Sequence, residues 1–265
     1  MYMTQPVLGG YKSDSASATG SGGKYTSSTE LAPLASSIDG AETDLRKWDS
    51  PVEMQLKTGS CTANATVGDL EHLRIAAGKS HINLSRLFIY YNARAQHQAT
   101  SVDEGTYISL AFDTLRTLGT CREETWAFDQ DRVDVSQSWD AYREAFTHKI
   151  ADYYRIQDSD SEKFRLIDEA LRRGHPVVFG CTVDDKFIRD TGSSGVIAPP
   201  AKVRVNTGGH AMLIVGKQRS GCYIVKNSWG TDWGDSGYCY MPPAYLSEEN
   251  AHDFWVATVG WQNAS

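Results

Sequence analysis

The pattern of the chain changes character at Gly174. Before it, apolar residues recur at three- and four-residue steps; after it, short β-branched or aromatic runs are punctuated by glycine. Four helices are predicted upstream. The first spans 61–77, where Ala63, Val67, Leu70, Leu73 and Ala77 recur at helical spacing and Gly78 stops the run. The second spans 84–96 with Ser85 as cap, the third 106–119 with its cap near Thr106 and its end at Gly119, and the fourth 161–174. Downstream, "PVVFGCTV", "HAMLIVGK", "CYIVKNSW", "GYCYMP" and "DFWVATVGW" predict strands. Helices first and strands second rule out alternating βαβ units. They predict an α+β chain of two lobes with a cleft between them.

Composition narrows the function classes. The chain has 265 residues, 40% of them hydrophobic, enough to bury a sizeable core. Its net charge is −7 with no cluster of Lys or Arg, which argues against nucleic acid as a partner. Its longest apolar runs, "AMLIVG" and "VVFG", are far too short for a bilayer, so no membrane span is expected. The N-terminus lacks the basic and apolar regions of a secretory signal, so the expected location is the cytoplasm, or outside by a non-classical route. Residues 1–44, rich in Ser, Gly, Thr and Ala, predict a flexible or wrapping arm, and 45–265 the folded domain. The sequons at Asn64, Asn83 and Asn263 are read as chance matches, the first because it falls inside a predicted helix.

Five cysteines without a C-x-x-C pair give no metal site. Four of them, Cys121, Cys181, Cys222 and Cys239, are thiols in a reducing compartment and have three alternative pairings in an oxidising one. Cys61 differs. Gly59 and Ser60 turn the chain into the first helix and place Cys61 at its N-terminus, where the helix dipole favours a thiolate. Of seven histidines, His210 alone has a context that fixes a ring: "TGGHAMLIVGK" sets it at the start of an apolar strand behind two glycines. Seventeen residues on, "KNSWGTDWGDSGY" supplies Asn227, whose amide oxygen can hold one imidazole nitrogen and leave the other to face Cys61, and Trp229.

The motifs "QLKTGSC", "GGHAMLIVG" and "YIVKNSWGTDWGDSGY" resemble those of the papain/cathepsin family of cysteine peptidases. The resemblance covers roughly 45–265 and implies a papain-like α+β fold, with a helical lobe carrying the cysteine and a β-barrel-like lobe carrying the histidine and asparagine. It implies that Cys61 is the nucleophile, His210 the general base and acid, and Asn227 the residue that orients His210. Gln55 would complete an oxyanion hole with the Cys61 N–H, and Trp229 would cover the Asn–His hydrogen bond. The implied reaction is acyl transfer to Cys61 followed by thioester hydrolysis, most simply as an endopeptidase acting as a monomer on peptide or protein, with no metal or organic cofactor.

Departures from the family pattern are plain. The nucleophile region reads Thr58-Gly59-Ser60-Cys61-Thr62, without the family's first cysteine or the aromatic after the nucleophile. "GSCTANA", "LSRLFIYYNAR" and "DEGT" look like the bacterial and viral branch. No helical prosegment precedes the domain, so the arm at 1–44 is the one candidate for a regulatory or pro segment. Two rival functions share the site: an acyltransferase or transpeptidase passing the acyl group to an amine, and a catalytically silent binding module. The specificity pocket is not legible; the loops at 100–108 and 176–210 that would line it depart most from family patterns.

Overall fold

The computed structural model describes residues 8–14, 23–26, 31, 33–34, 42–156, 160–191, 194–200 and 205–260. Three two-residue strands come first: β1 (Tyr11–Lys12), β2 (Lys24–Tyr25) and β3 (Thr43–Asp44). The helical lobe follows, with α1 (Cys61–Ala76), α2 (Arg86–Ala95), β4 (Thr106–Tyr107), α3 (Ile108–Thr117) and α4 (Trp139–Ala145). The second lobe holds β5 (Asp152–Ile156), α5 (Asp160–Arg172), β6 (Val177–Val183), α6 (Asp185–Asp190), β7 (Gly208–Lys217), β8 (Tyr223–Lys226), β9 (Tyr238–Met241) and β10 (Ala251–Thr258). The α+β architecture expected from the change at Gly174 is the one observed. Among the described residues no helix is long and apolar enough to cross a membrane.

Helix α1 is the central pillar. Nearly every residue along it is buried, polar ones included, because it packs on α2 and α3 on one side and β7 on the other. A helix enclosed on all sides must satisfy its polar residues internally: Thr66 Oγ1 donates to Thr62 O at 2.9 Å and Glu71 Oε1 accepts the Leu84 N–H at 2.7 Å. Helix α2 starts as expected: the Ser85 hydroxyl accepts the Phe88 N–H at 3.2 Å. Helix α3 starts later than its predicted cap. Thr106 and Tyr107 are extended and pair in parallel with Tyr11 and Lys12, so the helix begins at Ile108 without a side-chain cap. The glycines read as stops, Gly119 and Gly174, both take the left-handed φ that ends a helix (+78° and +83°). Helices α4 and α6 and strand β5 were not predicted; at five to seven residues they are too short for periodicity to register.

Strands run in the order β2-β5-β10-β6-β7-β8-β9, with β3 pairing the far end of β7. Pairing is antiparallel from β5 through β9, whereas β2 adds in parallel to β5 at one edge. The described parts of the arm from residue 23 onward therefore wrap the second lobe. Tyr25 and Leu31 are buried, the Leu34 N–H donates to Arg173 O at 3.0 Å, and Arg173 Nη1 donates to Leu31 O at 2.9 Å. All five cysteines are free thiols.

Candidate active site

Cys61 opens α1 from a turn built of short polar bonds. Thr58 Oγ1 donates to Gln55 O at 2.7 Å, and Gln55 Nε2 donates to Thr58 O at 2.9 Å. Asn64 Nδ2 reaches back to Ser60 O and Ser60 Oγ at 3.0 Å each. Thr58 occupies the place of the family's first cysteine, so hydrogen bonds hold here what a disulfide would hold there. The turn is also tied to the other lobe. Gln55 N donates to Ser228 O at 2.9 Å, and Ser228 Oγ donates to Gln55 Oε1 at 2.7 Å. Lys226 Nζ donates to Ser50 O at 2.7 Å and so clamps β8 to the strand of chain entering the turn. Gln55 thereby stands beside the Cys61 turn with its orientation fixed.

His210 lies on β7 opposite Cys181 of β6, and the next residue, Ala211, points its backbone N–H at the Cys61 thiol. His210 Nε2 bonds Asn227 Oδ1 at 2.8 Å, and the same oxygen accepts the Ser228 N–H at 2.8 Å. Because the Ser228 amide can only donate, the atom it meets must be the Asn227 oxygen, and His210 must then carry its proton on Nε2. The lone pair is left on Nδ1. The Trp229 ring stacks on the imidazole with centroids 4.5 Å apart, and Phe187 and Trp233 pack edge and face behind it. Gln55, His210, Asn227 and Trp229 are thus joined through the segment 227–229, and Cys61 meets the histidine strand at the Ala211 amide.

The charge state differs from expectation. A helix N-terminus and a nearby imidazolium should depress a thiol, yet burial pushes Cys61 up to about 12, with the Ala211, Thr62 and Cys61 amides only partly offsetting it. Burial likewise pushes His210 down to about 4 against the Asn227 hydrogen bond. Cys61 and His210 are 0% and 1% exposed, and burial favours the neutral form of each.

What excludes water is the arm, which sequence reasoning did not place here. Gly9 N donates to Gly209 O at 3.0 Å and Thr106 N donates to Gly10 O at 3.1 Å, so the segment threads between β7 and the loop before α3. Gly10 lies on the thiol: a Cβ added to it would stand 2.5 Å from Gly59 O and 2.9 Å from Cys61 Sγ. A Cβ at Gly180, Gly208 or Gly209 would run into Tyr11 or Leu8. Tyr90 is buried in the helical core, but its hydroxyl also donates to Asp103 and accepts the Gly105 N–H at 3.0 Å, which shapes the loop that faces the arm.

The arm is anchored by charge. Tyr11 OH, Ser13 Oγ (3.2 Å) and Asp14 N (2.7 Å) all donate to Asp253 Oδ2, while Arg155 Nη2 holds Oδ1 at 2.6 Å. Asp14 in turn accepts the N–H and hydroxyl of Ser109, the former at 3.1 Å. Asp253, Arg155 and the arm residues carried no sequence signal; a lone Asp in "AHDFWVAT" has no motif around it.

Comparison with known proteins agrees with this geometry. The family model for papain family cysteine protease matches residues 37–262. An uncharacterized peptidase C1-like protein of Acanthamoeba polyphaga mimivirus is 36% identical over 206 residues, 75% of this chain and 66% of that protein. Falcipain-3 of Plasmodium falciparum is 27% identical over 71% of this chain. The chain thus spans about two thirds of the viral relative and 38% of falcipain-3. Xylellain, a cysteine protease from Xylella fastidiosa, superimposes with a TM-score of 0.79 at 29% identity, covering 96% of this chain and 97% of that one. With a thiol at a helix N-terminus, a histidine strand across from it and a family match over most of its length, the chain belongs to the papain family of cysteine proteases.

Proposed function

We propose that the chain is an endopeptidase of the bacterial and viral branch of its family, working through Cys61, His210 and Asn227, and that residues 8–14 hold it latent. The similarity to the mimivirus and Xylella proteins supports the branch. The observation that carries the catalytic reading is the Asn227 oxygen, which accepts two N–H groups and so leaves the lone pair of His210 on Nδ1. With the arm out of the cleft, His210 Nδ1 takes the Cys61 proton and the thiolate attacks the peptide carbonyl. The Cys61 N–H and Gln55 Nε2 hold the oxyanion; loss of one such donor costs on the order of 10²- to 10³-fold in rate. The imidazolium protonates the departing amine, and the same nitrogen then activates the water that opens the thioester.

The test uses an epoxide-type thiol inhibitor and a quenched peptide on the full chain, with and without Gly10→Val. The valine side chain has no room between Gly59 and Cys61. The expected result is slow labelling and slow hydrolysis for the unaltered chain, fast labelling at Cys61 and fast hydrolysis for the variant, and no turnover after Cys61→Ala. Product formed only with added amine would replace hydrolysis by acyl transfer. Equal labelling rates with and without Gly10→Val would overturn the latency, and an unlabelled Cys61 in the variant would overturn the catalytic reading.

A further inference from the structure

The pocket that Tyr11 fills is built to read a phenol. Its walls are stripped to backbone: the ring lies against Gly180 Cα on one side, and the Tyr11 carbonyl and ring edge lie over Gly209 on the other. Its floor is Asp253, fully buried, on β10 at the point where the register with β6 shifts between His252 and Trp255. That bulge puts Asp253 at φ +54°, a left-handed backbone that Asp tolerates better than most residues, and turns its carboxylate from the strand face into the cleft. Bulges re-aim side chains in this way beside active sites.

The two oxygens of Asp253 are used differently. Oδ1 belongs to the fold: it takes Arg155 Nη2 from the neighbouring strand, where Arg155 and Trp255 are in register. Oδ2 faces the cleft, and among the described residues the donors to it all come from the arm. When the arm leaves, a buried acceptor loses its partners, and whatever enters next must supply a donor there or leave it unsatisfied. Arg155 already balances the Asp253 charge, so the pocket favours a neutral donor over an incoming cation.

We infer that Asp253, paired with Arg155, sets substrate specificity: the peptidase prefers tyrosine at a position adjoining the residue whose carbonyl Cys61 attacks. The position follows from the arm, in which Gly10 covers the sulfur and Tyr11, its neighbour, enters the pocket. This rests on the peptidase reading above. The arm's tyrosine and the substrate's tyrosine then compete for one acceptor.

The experiment uses the full chain with Gly10→Val and peptides that differ only by Tyr, Phe, Leu or Arg on either side of the attacked residue. At one of the two positions kcat/KM for Tyr should exceed that for Phe by about tenfold or more, since a site that bonds a hydroxyl discriminates strongly against its absence, and Arg should gain nothing over Phe. Removing both charges together, Asp253→Leu with Arg155→Met, should bring the Tyr/Phe ratio to about one while the Phe peptide is still cut. Cleavage with no Tyr preference at either position, or a preference that survives the double variant, overturns the inference and leaves the peptidase reading standing. Absence of any cleavage overturns both. Should the double variant not fold, Tyr11→Phe in the otherwise unaltered chain gives the same contrast: basal hydrolysis should rise several-fold as the arm loosens, and unchanged hydrolysis counts against the pocket.

Discussion

His210 Nε2 and Asn227 Oδ1 are 2.8 Å apart, and the Ser228 amide bonded to the same oxygen decides which of the two groups donates. In the proposed mechanism Asn227 acts as a positioning residue, fixed by the peptide that follows it. Asn227→Ala should lower kcat by about 10²-fold with KM little changed, because a ring free to rotate misplaces its basic nitrogen. Steady-state kinetics on the Gly10→Val background measure this, and a fall in kcat/KM carried by KM alone would contradict it.

Gln55 offers a separate check. Its oxygen is held by Ser228 Oγ and one amide hydrogen by Thr58 O, so the side chain cannot swing away. Gln55→Ala should cost about 10²-fold in kcat, the scale of one oxyanion donor. Thiol labelling at Cys61 should continue, since labelling an epoxide needs no oxyanion at a carbonyl.

Latency should depend on pH through Asp14. Burial raises its carboxyl to about 6, with Asp253 adding and the Ser109 bonds and Arg155 subtracting; Tyr11, Asp253 and Arg155 are the other ionisable groups at this anchor. A group whose docked value lies above its free value binds a proton on docking. Its contribution is full below about pH 3.8 and is lost as pH rises through about 6. Burial of the Cys61 thiol under Gly10 acts in the same direction. An amidated peptide spanning 8–14, added to the Gly10→Val protein, should therefore inhibit more weakly at pH 8 than at pH 5, by up to about tenfold. The same peptide with Asp14→Asn should show a flatter profile; an unchanged slope would remove Asp14 from the account.

Asp69 on α1 bears on stability. It is fully buried, neither oxygen has a hydrogen-bond partner among the described residues, and burial followed by the nearby Asp49 raises it well above the usual carboxylate range. Its proton is retained in the folded state, so the stability it permits is present at low pH and falls as pH climbs through the raised value. Asp69→Asn should raise Tm at pH 8 and change it little at pH 5. For a chain of this size each kcal/mol corresponds to about 2–4 °C, and calorimetry at the two pH values decides.

The parts of the fold legible in the sequence are those whose cause is local. The helix from Cys61, the Ser85 cap, the glycine stops at 119 and 174 and the five strands after Gly174 each follow from residues within a few positions of one another. His210, Asn227 and Trp229 were legible because "GGH" and "KNSW" are themselves short. The rest depends on partners distant in sequence. Thr106 would cap a helix if nothing competed, but Tyr11, 95 residues away, draws it into a strand. The arm reads as flexible because its apolar residues are isolated, yet Tyr11 is buried where Gly180 and Gly209 leave room for it. The protonation of Cys61 could not be read from its helix, because the arm that dries the site lies outside every local pattern.

Strand β2 is stitched to the edge of the sheet and β3 to β7, so the chain stays fastened to its own body even when 8–14 lifts away. The displaced segment then remains at high effective concentration over the cleft and can return without meeting a second molecule. Under the proposed latency, opening and closing become a unimolecular equilibrium, indifferent to dilution, and any substrate must outcompete a tethered segment that never diffuses off.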